Sequence, residues 1–318
     1  MRTVTIGKND AGQRLDKFLL KFLVGFPQGM LYKCLRKKLI KVNGKKAEGN
    51  LKLLEGDVLT LYINDEFFGG EAEELSFTRI KPDINVVYED ENILLVDKKP
   101  GMIVHEDDGE KHNTLISHIK AYLYQKGEYD PKNEQSFAPA LCNRIDRNTG
   151  GIVIAAKNAL SLRIINEKIK SREIKKHYLC MIEGHIKPKS ATLTAYLQKN
   201  ESQNRVYISD VKKEGYKKCV TKYNVISSYD LGDFLEIDLI TGRTHQIRAQ
   251  MAHLGHPLAG DGKYGTNEFN KKVGLRYQAL YSYKTEFCFT DENELSYLNG
   301  KTFEVDKKNI PWFKGGVL

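Results

Sequence analysis

The stretch Leu-Cys-Asn-Arg-Ile-Asp-Arg-Asn-Thr-Gly-Gly-Ile-Val-Ile-Ala, residues 141–155, joins a charged turn to an apolar strand. Asp146 stands between Arg144 and Arg147, Gly150 and Gly151 close the turn, and the run of β-branched residues after it has the composition of a buried strand. A carboxylate flanked by guanidinium groups stays ionised at neutral pH, because nearby positive charge favours the anion. Asp146 is therefore available as a nucleophile or a base, although the same cluster would serve equally to brace a tight turn. Outward from this strand, short strands and helices mix rather than alternate. That pattern predicts an α+β fold and argues against a doubly wound parallel sheet. Strands are expected at 93–97, 152–156, 178–182, 192–197, 220–226, 234–240 and 286–289, and helices at 115–124, 159–169 and 245–254, the last ending at Gly255.

The 318 residues are 41% hydrophobic and 29% charged, which excludes disorder and leaves room for one large domain with a small companion. No stretch reaches the roughly 20 apolar residues of a bilayer span. The opening MRTVTIGKND has neither a secretory apolar run nor transit-peptide character, and the five cysteines contain no C-x-x-C pair. A cytoplasmic protein with no membrane association, no disulfide framework and no thiolate metal site is expected.

The positive charge is concentrated at the front. Residues 1–63 carry 13 Lys+Arg against 5 Asp+Glu, whereas 64–78 carry five acids and no base. Such a basic segment fits docking on a polyanion, or simply a soluble surface. Leu15, Phe18, Leu19, Phe22 and Leu23 mark an amphipathic helix that Pro27 ends. A second helix is expected from 28 to 37, with Lys33, Arg36, Lys37 and Lys38 crowding its polar side. Residues 39–42 then read as a strand entering an Asn43-Gly44 hairpin turn, with Lys41 beside it, and 58–63 as a further strand. This segment resembles the RNA-binding domain first described in small-subunit ribosomal protein S-four, through Arg14-Leu-Asp-Lys-Phe-Leu19 and Lys41-Val-Asn-Gly-Lys45. The expected organisation is an αα-plus-hairpin RNA-binding domain at 1–63, an acidic linker at 64–82 containing Gly69-Gly70, Glu71, Glu73 and Glu74, and a larger domain at 83–318.

Two further constellations bear on chemistry. Thr241-Gly-Arg-Thr-His-Gln-Ile-Arg248 is a strand end, a glycine turn and a helix start, which would aim Arg243 into a cleft and favour a nearby anion. The spacing of His245, His253 and His256 gives a metal site little support. In Lys175-Lys-His-Tyr178, strand alternation puts Lys176 and Tyr178 on one face, where the tyrosine ring either stacks on a base or packs in the core.

Residues 143–151 are similar to the H-R-L-D-x-x-T-S-G signature of the RluA-type pseudouridine synthases. Asn92-Ile-Leu-Leu-Val-Asp-Lys-Lys-Pro-Gly-Met-Ile-Val-His105 resembles their upstream strand-turn motif, Lys176-His-Tyr178 their K-x-Y element, and Gly242–Arg248 with 253–257 and 260–265 their arginine motif and downstream turn. The departures are Asn143 for His, Ile145 for Leu and Gly151 for Ser.

The resemblance implies a catalytic domain built on a mixed, largely antiparallel sheet with flanking helices. It implies that uridine in RNA, ribosomal RNA of the large subunit foremost, is isomerised by breaking the glycosidic C–N bond, turning the uracil and rejoining it through carbon. It assigns Asp146 as the essential aspartate, Tyr178 as the tyrosine contacting the target base and Arg243 as the basic residue that pairs with the aspartate. Arg144 would displace the target nucleotide, and Ile247 would line the substrate site.

Physical chemistry agrees that a stacked uridine must be flipped out, at a cost of a few kcal/mol. A desolvated carboxylate also needs a cationic partner to stay ionised. The reaction is redox-neutral, so no cofactor and no metal are expected, and the protein is expected to act as a monomer. Whether Asp146 attacks the ribose, attacks the ring or acts as a base at the sugar stays open. The rival readings are a noncatalytic RNA-binding or ribosome-assembly factor, a synthase acting mainly on transfer RNA, and a metal-dependent RNA hydrolase.

Overall fold

The computed structural model describes residues 1–68, 76–106 and 113–313. Gly69, Gly70, Glu71, Glu73 and Glu74 of the acidic linker lie outside the described residues. The chain divides into two compact units, the first formed by 1–83, 116–140 and 157–162 and the second by 84–115, 141–156 and 163–318.

In the first unit, β1 (Arg2–Thr5), α1 (Leu15–Phe22), α2 (Gln28–Arg36), β2 (Ile40–Val42), β3 (Lys45–Lys46) and β4 (Val58–Leu61) form two helices and a four-stranded antiparallel sheet in the order β1-β4-β2-β3. The apolar stripe read from α1 is the one buried: Leu15, Phe18 and Leu19 pack with Leu31, Leu35, Ile40, Leu59 and Leu61. The hairpin turns at Asn43 and Gly44 with φ of 49° and 74°, the positive pair a type I′ turn requires. The Asn43 carboxamide also holds β4, accepting from Val58 N and donating to Asp57, both at 2.8 Å. β1 was not anticipated. It is four residues long and gains its stability from pairing with β4, a tertiary contact that local pattern does not encode. Helix α3 (Leu115–Gln125) and the residues after it complete this unit, with Phe77 packed against Tyr124 and Tyr129, and Gln13 donating to Ser136 at 2.9 Å.

The second unit is built on one large sheet. Its strands are β5 (Asn85–Glu89), β6 (Ile93–Lys98), β7 (Ala140–Leu141), β8 (Gly150–Ala156), β9 (Ile174–Glu183), β10 (Ser190–Asn200), β11 (Arg205–Ser209), β12 (Lys217–Tyr229), β13 (Gly232–Leu239), β14 (Leu280–Phe287) and β15 (Thr302–Glu304). They run in the order β11-β10-β12-β13-β9-β14-β8-β6-β5, with β7 beside β8 and β15 beside β14. Along that path the β14–β8 pair is parallel and the other pairs are antiparallel. The expected mixed, largely antiparallel sheet is therefore what forms.

Every residue of β8 is buried, which is why it reads as a continuous apolar run rather than an alternating one. Leu95, Ile152, Ile154, Leu179, Met181, Phe234, Tyr281 and Phe287 make the main core with Trp312. The helices are α4 (Ala159–Lys170), α5 (Gln246–His253) and α6 (Asn267–Val273), and Gly255 follows α5 with φ 82°. The strand expected at 286–289 is corrected: β14 begins six residues earlier, since pairing with β9 and β8 buries even Ser282 and Thr285.

Candidate active site

Asp146 sits on the loop that leads into β8, at the wall of a cavity of 880 Å³. Arg144, Ile145, Thr149, Lys176, Tyr178, Arg243, His245, Ile247 and Arg248 share that wall with it. The loop is pinned from below. Lys98, at the end of β6 and 1% exposed, donates from Nζ to the carbonyls of Lys99 (3.0 Å), Met102 (2.8 Å) and Arg147 (2.9 Å). Gly101 N donates to the same Arg147 carbonyl at 2.9 Å, and Arg147 Nε returns a bond to the Gly101 carbonyl at 3.1 Å. Burial pulls the Lys98 ammonium down to about 7, against the attraction of Asp146 and Asp97.

The cation that holds Asp146 is Arg248. Its Nη1 donates to Asp146 Oδ2 at 2.7 Å, while Nε and Nη2 grip Asp261 at 2.7 and 2.9 Å. Asp261 has no exposed surface; burial would raise its pKa, but the bidentate bonds from Arg248 outweigh that and hold it below the ordinary carboxylate range. Burial likewise opposes charge on Arg248, and the two carboxylates more than reverse it, so its pKa lies above the ordinary arginine value. The guanidinium also stacks 5.3 Å from the Tyr264 ring centre.

Two expectations about this carboxylate are corrected, and one about the glycines that follow it. Arg243 does not pair with Asp146; it lies exposed on the cavity wall, because the turn at 241–246 is closed by Gln246, whose Oε1 accepts from Arg243 N and Thr241 Oγ1. Arg147 is turned to the Gly101 carbonyl, so the sequence neighbours of Asp146 are not what neutralise it. Counted from Asp146, the family's serine falls on Gly150, and Gly151 matches the closing glycine. A Cβ on Gly150 would meet the Tyr281 ring at 2.4 Å, and one on Gly151, where φ is 113°, would meet the Ser282 carbonyl oxygen at 2.2 Å.

Asn143 has a structural task as well: its Oδ1 accepts from Ile154 N at 2.8 Å, fastening the loop to β8. Tyr178, 5% exposed, reaches the cavity from β9 beside Ser282 of β14, and burial pushes its hydroxyl up to about 12. Lys176 lies two residues away on the same wall, as alternation predicts. Ile247, 4% exposed, comes from the first turn of α5.

His245 precedes α5 with φ 50° and bonds Tyr264 Oη through Nδ1 at 3.0 Å, with Nε2 3.9 Å from Asp146. Burial, aided by Arg248, holds its pKa down to about 4 although Asp146 opposes this. The other two histidines are engaged elsewhere, His253 with Asp210 and His256 with the Glu183 carbonyl. Among the described residues, no group of three or more His, Cys, Asp or Glu could hold a metal ion.

In the first unit, Lys33, Arg36, Lys37 and Lys38 are exposed, and Lys41 is half-buried with its ammonium 5.6 Å from the Tyr62 ring centre. Sequence reasoning missed Arg248, Asp261 and Lys98. The signal for Arg248 was a lone arginine inside Ile-Arg-Ala-Gln-Met, a stretch that is buried throughout, since a buried guanidinium requires anionic partners.

A family model described as RNA pseudouridylate synthase matches residues 92–253. Among curated relatives, the ribosomal large subunit pseudouridine synthase C of Escherichia coli strain K12 is 31% identical over 296 residues, covering 91% of this chain and 89% of that protein. The protein of the same name from Yersinia pestis is 28% identical over 312 residues, covering 96% and 91%. Among solved structures, human RNA pseudouridylate synthase domain containing 1 has the same fold, with a TM-score of 0.53 at 21% identity, over 71% of this chain and 92% of that one.

Proposed function

The chain belongs to the RNA pseudouridylate synthase family, and on that premise we propose that it isomerises uridine to pseudouridine in large-subunit ribosomal RNA, with Asp146 as the reacting group. The observation that carries the assignment of Asp146 is its setting: a carboxylate on a cavity wall, held at 2.7 Å by a guanidinium that is itself anchored on a second, fully buried carboxylate. Its counter-charge is already in place when substrate excludes water.

In the proposed reaction the uridine leaves its stack and enters the cavity, where the Tyr178 ring faces the base and Ile247 packs against it. Arg144 fills the vacated place in the RNA. The bond from C1′ to N1 breaks, the uracil turns, C1′ bonds to C5, and the proton leaves C5 while N1 regains one. Asp146 acts on the sugar or the ring during that exchange. Arg243 belongs to the substrate side of the cavity. No electrons are gained or lost, so the chemistry calls for no redox cofactor.

The exposed cations Lys33, Arg36, Lys37 and Lys38, with Lys41, are proposed to dock RNA through an S-four-like module, the protein acting as a cytoplasmic monomer. Among the described residues no helix is long and apolar enough to cross a membrane.

The test is release of tritium from RNA labelled at uridine C5. Wild-type protein should release it from large-subunit ribosomal RNA, and Asp146→Asn should release none while keeping RNA affinity. Turnover by Asp146→Asn at the wild-type rate would remove Asp146 from the chemistry, and strand cleavage without release would favour a hydrolase.

A further inference from the structure

Four cations line the cavity: Lys170 at the end of α4, Arg172 in the turn after it, and Lys175 and Lys176 at the start of β9. The first three are exposed and Lys176 is half-buried. Among the described residues none of the four side chains forms an ion pair or a hydrogen bond, in contrast to neighbouring Lys168, which is held by Glu173 and Asp291. The neighbouring carboxylates are occupied. Glu173 is taken by Lys168 and Thr290. Asp238 and Glu286, which also line the cavity, bracket His177 at 2.5 and 3.2 Å and face Lys222 and Lys284.

Lys176 is the costliest of the four. Burial pulls its ammonium down to about 8, opposed only in part by Cys142, whose own thiol burial pushes up to about 12. A half-buried cation with no protein counter-ion, opening into a cavity, is unfavourable until an anion arrives. Position suggests which anion. Two residues of strand put Lys176 about 7 Å from Tyr178 along the same face, toward the strand's start. If the base lies at Tyr178, a backbone phosphate of the same strand falls near Lys176.

We propose that Lys176 receives the phosphate flanking the flipped-out uridine and that Lys175, Arg172 and Lys170 carry the adjoining phosphates out of the cavity. The inference rests on the RNA substrate proposed above, and it makes Lys176 a positioning residue, which holds the nucleotide while Asp146 reacts.

The experiment uses the full chain with transcribed large-subunit ribosomal RNA and compares wild type, Lys176→Met, Lys176→Arg and a triple variant combining Lys170→Gln, Arg172→Gln and Lys175→Gln. Binding is measured against salt concentration and tritium release against RNA concentration. Lys176→Met should raise KM about tenfold or more, the loss expected of one charge-assisted hydrogen bond, with a smaller change in kcat. It should also reduce the salt slope by about 0.7, the share of one phosphate on a single strand, and the triple variant by about 2. Lys176→Arg should restore most of both.

A wild-type slope and KM in Lys176→Met would overturn the proposal. So would a loss confined to kcat with the slope unchanged, since the ammonium would then act on the base or sugar. Thermal melting identifies a misfolded Lys176→Met, in which case the arginine and triple variants decide by the same slopes. A wild-type protein that binds but releases no tritium defeats the isomerase reading, while the slopes still judge the phosphate track.

Discussion

Arg248 and Asp146 lie 102 residues apart in sequence and 2.7 Å apart in the fold, and the guanidinium that joins them is clamped on Asp261 by its two other donors. Arg243, five residues earlier on the same motif, stands exposed on the wall. The two arginines should therefore fail in different ways. Arg248→Met leaves Asp261 buried without a counter-charge, which costs about 3–5 kcal/mol, so urea denaturation should show a sharp loss of stability alongside lost turnover. Arg243→Met should stay within about 0.5 kcal/mol of wild type, as a surface change does, and lose activity through the substrate. Equal destabilisation by both would contradict this division of roles.

Lys98 tests how far the loop itself matters. Replacing it by Met removes three donors; the Arg147 carbonyl keeps Gly101 N and the Lys99 carbonyl keeps Met102 N, so the Met102 carbonyl is the one left short of a partner. That orphan costs about 1–3 kcal/mol and the two weakened acceptors add to it, partly offset because an ammonium no longer has to be desolvated. The expected net is about 1–3 kcal/mol of lost stability. Amide exchange at 101 and 147–149 should quicken and kcat should fall at nearly unchanged KM. Unchanged exchange there would mean that the loop is held by other contacts.

What the sequence revealed and what it hid divide along the same line. The stripe of α1, the Asn43-Gly44 turn, the apolar β8 and the shared face of Lys176 and Tyr178 are set by period and by local backbone preference, and all were legible. Asp146 was legible as a charged group on a glycine-closed turn. Its partner was not, because sequence neighbours Arg144 and Arg147 looked like the counter-charge while the contact is made across 102 residues by a helix whose every other position from 246 to 251 is also buried. β1 and the early part of β14 were missed for a related reason: pairing partners stabilise them, and neither carries a strong pattern of its own.

Gly151 gives a steric test independent of charge. Its φ of 113° is one L side chains rarely adopt, and a Cβ would stand 2.2 Å from the Ser282 carbonyl oxygen, which belongs to the paired strand and cannot move aside alone. Gly151→Ala should cost at least about 3 kcal/mol, combining backbone strain with overpacking, and soluble yield should fall accordingly. Gly150→Ser, which meets the Tyr281 ring at 2.4 Å, should be milder because a ring can shift where a strand cannot. A fully stable Gly151→Ala protein would show that β8 and β14 leave room for a side chain at this position.

His245 sets a pH dependence whose sign follows from its burial. In the unfolded chain it titrates near its ordinary 6.5, and in the fold it is held down to about 4, so between those values the unfolded state binds more protons. Its contribution is fully present above 6.5 and is lost as pH falls toward 4, by up to about 3 kcal/mol for a shift of this size. Asp146, 3.9 Å away, already moderates that shift, since a proton on His245 gains an attractive neighbour while burial opposes it more strongly. Urea denaturation near pH 7 and near pH 4.5 should show the wild type losing stability on acidification. His245→Gln, which keeps a donor toward Tyr264 but does not titrate, should lose less over the same interval. If the two proteins lose stability in parallel, the acid sensitivity arises elsewhere, and His245 carries a proton in the fold as readily as it does in water.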